Sequence, residues 1–287
     1  MAMPKLLALS QIEDMQEVAL RTITLEFHTM IATFTPYATS FRDMLRTTGS
    51  IITGSTVLHF LMRQPEHWTP GHVDIITPKG QFETVLNHIL SESGAKVTKP
   101  AAEVETGETL AEKTGTIRQI RVKTDLAKFS ISESATMSPF HPIPFLWATH
   151  LMNALTYDAC ICAYPMLTLR NQSLITDKSY ATLQREVKRY TSLGFTLFEE
   201  AQQVANVKNT CVELLVCPKR ERMIGDRHTL VIPVGGKSLQ ETLTRLAKGR
   251  TVCWKLGGGH CRNKLCFIRG HREVNTTYWI YNTVLDM

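Results

Sequence analysis

Ser50-Ile51-Ile52-Thr53-Gly54-Ser55-Thr56-Val57-Leu58-His59-Phe60-Leu61, followed at a short distance by His72-Val73-Asp74-Ile75, is the stretch on which the fold turns. Residues 50–53 read as a short buried strand that ends at Gly54-Ser55. From Thr56 to Met62 the apolar residues Val57, Leu58 and Leu61 fall at helical spacing. Pro65, Pro70 and Gly71 mark a loop, and 72–75 read as the next strand. With a strand period of two, His72 and Asp74 share one face while Val73 and Ile75 point into the core.

Outward from this unit, Ser10-Gln11-Ile12-Glu13 has the form of a capping box, so a long helix is expected from about Gln11 to Ala32 with Ser10 as its N-cap. A shorter helix around 40–46 leads into Gly49. Downstream, Pro78-Lys79-Gly80 turns into a helix over 81–92 that Gly94 stops. Residues 100–115 are polar and read as a surface loop or insertion. The runs 116–123 and 126–132 form a strand pair, 145–154 is read as a helix, 157–164 as extended, and 180–193 as a helix with Arg185, Lys188 and Arg189 on one face. The alternation of sheet and helix gives an α+β (mixed α/β) fold: a mixed sheet flanked by helices, with an elaborated C-terminal region. The chain divides into an N-terminal helical segment (1–48), a core (49–170), and a helical and basic region packed on it (171–287).

The unit 50–75 suggests a particular chemistry. Nucleotidyl transfer holds a triphosphate on a glycine-rich turn and uses divalent cations bound by hard oxygen ligands, usually three carboxylates. Gly54 permits close backbone approach, and Ser55 opens a helix whose N–H groups and dipole favour an anion. Asp74 fits one of two carboxylates at alternate strand positions, and the position of its partner is held by His72.

Residues 52–61, then Trp68-Thr69-Pro70, then His72-Val73-Asp74-Ile75, resemble the nucleotidyltransferase-like proteins abundant in mushroom-forming fungi, which usually read Gly-Ser, a Trp-Pro loop and Asp-Leu-Asp. Ser138-Pro139-Phe140-His141-Pro142, Met152–Tyr157, Tyr164–Leu169, Cys217-Pro218 and Gly225-Asp226-Arg227 extend the resemblance over most of the chain from about residue 49. It implies a nucleotidyltransferase-like fold, with nucleoside triphosphate as ligand and Mg²⁺ or Mn²⁺ as cofactor if the chain is active. This sequence departs from the family pattern twice. His72 replaces the first aspartate, and Ser130 stands where the third is expected. Glu133 lies three residues on and faces the other side of an extended strand, so only a bulge would bring it round. One carboxylate of three remains. Imidazole suits Mn²⁺ or Zn²⁺ better than Mg²⁺, and His72 reads equally as a polar strand end with no ligand role.

The 287 residues carry a net charge of +6, unevenly spread. Residues 218–272 hold 13 Lys/Arg against 3 Asp/Glu, which leaves the rest of the chain at −4. This basic third suits RNA or another polyanion, or is simply a solvated face. Within it, Arg220 and Arg227 are candidates for pairing with nucleotide phosphates. Cys253, Cys261 and Cys266, with His260 and His271, could bind zinc, although the spacing matches no common finger and buried free thiols are the plainer reading. Seven cysteines, an odd number, fit free thiols in a reducing compartment. No apolar run approaches the ~20 residues that span a bilayer, and no secretory signal is visible, which favours cytoplasm or nucleus. Three functions stay open: a catalytically impaired protein that binds nucleotide or nucleic acid, an active metal-dependent transferase using His72 and Asp74, and a non-enzymatic interaction module.

Overall fold

The structure, a computed structural model, describes residues 3–10, 12–63, 68–93, 96–99, 111, 114–176, 180–205, 220–248, 251–256 and 277–281. The fold is mixed α+β around a sheet of eight strands. In chain order these are β1 (Ile51–Thr53), β2 (Val73–Thr77), β3 (Lys96–Lys99), β4 (Thr116–Lys123), β5 (Lys128–Ser134), β6 (Asn153–Leu155), β7 (Ala159–Cys162) and, after two small strands β8 (Gln172–Leu174) and β9 (Thr196–Phe198) and strand β10 (Glu221–Met223), β11 (Leu230–Pro233). Their order across the sheet is β11-β7-β6-β1-β2-β5-β4-β3. β11 is therefore an edge strand of the same sheet that β1 and β2 begin, although it lies within 171–287. β10 pairs with β12 (Thr251–Lys255), which pairs with β13 (Thr277–Tyr281).

Strand alternation divides the sheet into two apolar faces. Ile52, Val73, Ile75, Phe129 and Ile131 point to one side and meet the helices α1 (Met3–Leu9), α2 (Glu13–Ala32), α3 (Ala38–Thr48), α4 (Ser55–Met62) and α5 (Phe82–Ser93). Phe27, Phe34 and Phe41 supply much of that contact, each 4 % exposed or less. Ile51, Ile76, Ala154 and Ile161 point to the other side, where they meet Tyr164, Leu167 and Trp254. After the short helix α6 (Pro165–Thr168), helix α7 (Tyr180–Ser192) contributes Tyr190 to a third cluster with Leu58, Leu151 and Phe195. A short helix α8 (Ala201–Ala205) follows, and α9 (Leu239–Lys248) comes after β11.

Two local expectations fail. Ser10 does not cap the long helix: its hydroxyl donates to the Leu7 carbonyl at 2.8 Å and its N–H to the Leu6 carbonyl at 2.9 Å, closing α1. α2 starts behind Ile12, which makes no side-chain cap. An additional helix upstream had claimed the serine. The stretch 145–154 is not a helix either. Short 3₁₀ turns at Ile143–Phe145 and Thr149–Leu151 lead into β6, which fills the place between β1 and β7. Pro144 sits in the first 3₁₀ turn and Leu146 is extended, so no regular helix propagates. Ladder bonds to two neighbouring strands then outweigh the weak local preference for helix.

A buried ion pair ties the C-terminal elements to the sheet. Asp158, in the turn between β6 and β7, is 1 % exposed. Arg245 of α9 grips it through Nη2 and Nε, at 2.5 and 3.0 Å, and Lys237 adds an ion pair at 3.3 Å. The Thr156 hydroxyl donates to the same carboxylate at 2.9 Å. Removing this acceptor leaves an arginine without its bidentate partner. Asp158→Ala is expected to lower stability by about 2 kcal/mol in urea unfolding, and Asp158→Asn, which keeps an acceptor oxygen, by less. Equal stability of both variants and the parent would show that the pair contributes nothing.

Candidate functional site

The residues singled out between 54 and 130 come together because of strand register. β1 pairs antiparallel with β2 and sets Thr53 opposite Asp74. β2 pairs parallel with β5 and sets Asp74 beside Ser130. All three belong to the face away from the α1–α5 core, and neighbouring strands stand ~4.8 Å apart. Ser130 is thus where a third carboxylate would flank Asp74. The chain leaves β1 through Gly54, whose φ is +70°. A Cβ built there would lie 2.6 Å from Asp74 Oδ2. Only glycine lets the turn close over the carboxylate. Ser55 follows as the first residue of α4, and the N–H of Leu58 is already bonded to the Gly54 carbonyl at 3.1 Å.

His72 lies just before β2, and its Nε2 is 3.1 Å from Asp74 Oδ1. Its backbone carbonyl accepts a hydrogen bond from Thr56 Oγ1 at 3.1 Å, which fixes the approach to the strand against α4. The Asp74 hydrogen bond is the largest influence on the imidazole and raises its pKa. Burial opposes the rise, the Asp74 charge adds to it, and the nearby cations Arg121 and Arg189 oppose it. Ser130 is 4 % exposed, and its hydroxyl accepts a hydrogen bond from Gln119 Nε2 at 2.8 Å. Glu133 is on the opposite face, as the alternation requires. It accepts from the Gly80 N–H at 2.6 Å and pairs with Arg118 at 2.5 Å, so it is a structural acid and not a third ligand.

Three residues of the site escaped the reading of the sequence. Arg121 of β4 is the register partner of Ser130. Arg189 and Tyr190 come from α7, more than 100 residues after Asp74 in sequence. Tyr190 is 2 % exposed and packs on His150 with ring centres 4.3 Å apart, which anchors α7 beside the site. Burial drives its hydroxyl pKa upward, and the Asp74 charge pushes the same way. The basic face of α7 and the alternation of β4 were visible, but nothing local joined either to Asp74.

The donor set can be weighed against a divalent cation. Mg²⁺ demands several hard oxygens in octahedral array. On this face the described residues supply one carboxylate, which is bonded to His72, and the hydroxyls of Ser130 and Thr53, bonded to Gln119 and to the Asn153 carbonyl. Among the described residues no group of three or more His, Cys, Asp or Glu is arranged to hold a metal. The nearby guanidinium charges of Arg121 and Arg189 would repel a cation and attract an anion. This donor set does not fit Mg²⁺.

The other candidates lie elsewhere. Arg220 and Arg227 both bond His228 Nε2, at 2.7 and 3.1 Å. Their segment leads into β11, three inter-strand steps from β1, or roughly 14 Å along the sheet. They do not join the Gly54 turn. Much of the basic charge in the described part of 218–272 is used internally. Arg222 is 1 % exposed and bonds Asp226 at 2.6 Å and the Ala163 carbonyl at 2.6 Å, while Arg245 and Lys237 serve Asp158. Burial opposes ionisation of Asp226, but the Arg222 hydrogen bond and charge hold its carboxyl below the ordinary value. Cys253 is buried in β12 and burial pushes its thiol up to about 11. Cys261, Cys266, His260 and His271 lie outside the described residues. Cys160 and Cys162 are fully buried core thiols of β7. No helix among the described residues is long and apolar enough to cross a membrane.

No family model and no curated protein matches the chain. A solved structure described as a "tRNA-processing enzyme (apo form I)" aligns with 57 % of this chain at 13 % identity and a TM-score of 0.40. The alignment spans 44 % of that protein, less than half its length.

Two outcomes follow from the geometry. Gly54→Ala puts a methyl group against Asp74 in a conformation that L residues avoid, and should cost about 1–3 kcal/mol in denaturant unfolding. An unchanged midpoint would mean that the turn does not press on Asp74. For His72 the folded pKa lies above the ordinary 6.5. The imidazolium–carboxylate pair therefore contributes fully below the unfolded value and is lost as pH rises through the folded one. NMR titration should find His72 above 6.5 in the parent and lower in Asp74→Asn. An identical value in both would remove the pair.

Proposed function

We propose that this chain is a nucleotidyltransferase-fold protein that binds nucleoside triphosphate as an anion and has lost metal-dependent transfer. The observation that carries the reading is the pairing of Asp74 with Ser130 in adjacent parallel strands, beneath the Gly54 turn. A phosphate-binding turn and one acid are retained, and the two flanking positions hold groups without negative charge. The resemblance of 52–75 and the downstream phrases to the mushroom-type nucleotidyltransferase-like family supports the same reading. In that family's chemistry the cations position the triphosphate and neutralise charge that develops on it. Here His72 is bonded to Asp74, and the guanidinium charges of Arg121 and Arg189 are close enough to act on the imidazole.

Fixed side-chain cations can hold a phosphate without supplying what a metal supplies. Arginine binds phosphate oxygens in a fork and stays charged at every relevant pH. It does not lower the pKa of a bound hydroxyl as a metal ion does. The arrangement therefore favours retention of an anionic ligand over its turnover. The Ser55 end of α4 adds N–H groups of the first helical turn to the same anion site.

The test is calorimetric titration with ATP, GTP, CTP and UTP, with EDTA and with Mg²⁺ or Mn²⁺, together with an assay for labelled nucleotide transfer to RNA or protein. At least one triphosphate is expected to bind with EDTA present, and Arg189→Ala or Arg121→Ala should weaken it by about tenfold, the scale of one charge-assisted phosphate contact. Binding should also weaken as pH rises through the His72 pKa, since the site then loses a positive charge. Metal-dependent transfer that disappears in Asp74→Ala would overturn the reading in favour of an active enzyme. Absence of triphosphate binding under every condition would leave an interaction module.

A further inference from the structure

A cavity of about 890 Å³ opens on the helical side of the sheet behind His72. Its walls come from α2, α4, the loop before β2 and the turn between β4 and β5. Phe34 and Phe60 line it from the core and are 4 % and 5 % exposed. Leu25 and Leu126 stand at its mouth, 67 % and 55 % exposed, two large apolar side chains facing solvent across one opening. A pocket of this volume with apolar walls and a few convergent polar groups is the usual form of a small-molecule site.

The polar groups are the informative part. Arg63, just after α4, has φ +50°, a left-handed conformation uncommon for a residue with a side chain. Its side chain is 13 % exposed. One guanidinium nitrogen pairs with Glu26 of α2, while Nη1 is buried with no hydrogen-bond partner among the described residues. His59, one turn earlier on α4, also lines the cavity, and its Nε2 is likewise buried and unpartnered. Burial lowers the His59 pKa, and a hydrogen bond between its ring and the Trp68 backbone opposes the fall. A buried donor on a cation is costly to leave unsatisfied. Arg63 Nη1, with His59 one turn before it, gives the otherwise apolar chamber a polar end.

We infer that this cavity binds an amphipathic carboxylate, a medium-chain fatty acid or an acid of similar shape, with its head on Arg63 Nη1 beside His59 and its apolar body against Phe34, Phe60 and Leu126. A carboxylate supplies the acceptor that Arg63 lacks. Lys123 and Lys128 also line the cavity and outweigh Asp125 between them, while Glu26 is taken up by Arg63. The site is separate from the triphosphate site: the cavity lies on the α1–α5 side of the sheet, and Asp74 faces the other way. The two meet at the segment around His72, whose carbonyl holds Thr56 of the cavity wall at 3.1 Å. An occupant can therefore bear on the position of His72 without touching Asp74.

The probe is decanoate, with decanol as the uncharged control, titrated calorimetrically into the full chain. Saturable 1:1 binding is expected, with a Kd on the order of 100 µM or tighter. Decanol should bind at least tenfold more weakly. Arg63→Met should reduce decanoate affinity by tenfold or more and shrink the gap between acid and alcohol, since the head-group contact is removed. If Arg63→Met fails to fold because Glu26 is left without its partner, Leu126→Glu gives a second test. That position is exposed enough to accept the change, and a like charge at the mouth should lower decanoate affinity and spare decanol. Asp74→Asn should bind decanoate as the parent does, which separates this outcome from failure of the triphosphate reading. No saturable binding, equal affinity for acid and alcohol, or affinity unchanged in whichever of these variants folds would each overturn the proposal.

Discussion

The register of three short strands is the constraint on which the rest depends. β1 contributes three residues and β2 five, yet their pairing fixes Thr53, Asp74 and Ser130 abreast on one face. A slip of one residue would send Asp74 into the packed core and expose Val73 or Ile75 in its place. Such a slip is prevented from both sides. Ile52, Val73, Ile75, Phe129 and Ile131 need the helices of one face, and Ile51 and Ile76 need the aromatic cluster of the other. Because both faces are buried, every strand in the centre of the sheet has its register set twice. Gly54 then follows as a steric consequence, since no other residue clears the Asp74 carboxylate at that turn.

The same register decides the electrostatics. Ser130 and Arg121 are partners across β4 and β5, so a hydroxyl and a guanidinium follow Asp74 across the same face. α7 brings Arg189 to the site and is held there by Tyr190 and His150, whose Nδ1 is in turn bonded to Ser173 at 2.7 Å. Asp74 is bonded to the His72 imidazole, on which the charges of Arg121 and Arg189 also act. Positive charge held this close favours an anion and opposes a divalent cation.

How far this was legible in the sequence follows from distance along the chain. Alternation placed Val73 and Ile75 in the core with Asp74 on the other face and marked 126–132 as a strand, and the family resemblance pointed to Ser130 as the position beside Asp74. Helical spacing found α2, α4, α5 and α7. These signals are local, and the chain carries them wherever it folds. What failed was set by competition or by distant partners. Ser10 had two helices to serve and closed the first. The segment 145–154 breaks into 3₁₀ turns and ends in β6, to which β1 and β7 both offer ladder bonds. Arg222 looked like part of a solvated basic cluster, yet it is buried over Tyr164 with Asp226 as its counter-ion. Arg121 and Arg189 had visible charge and no visible destination. The cavity behind His72 was illegible for the same reason, since α2, α4 and the β4–β5 turn meet only in three dimensions.

The Asp74 site is built either for an anion or for a metal, and metal binding tells the two apart. Titration of Mn²⁺ into the chain, with the free ion followed by electron paramagnetic resonance, addresses this without any assumption about substrate. The chain as it stands is expected to leave the free Mn²⁺ signal unattenuated at stoichiometric metal, whereas the double substitution His72→Asp with Ser130→Asp, which restores acids beside Asp74, should attenuate it. Stoichiometric Mn²⁺ binding by the unaltered chain, abolished in Asp74→Ala, would contradict the account and identify a working metal site.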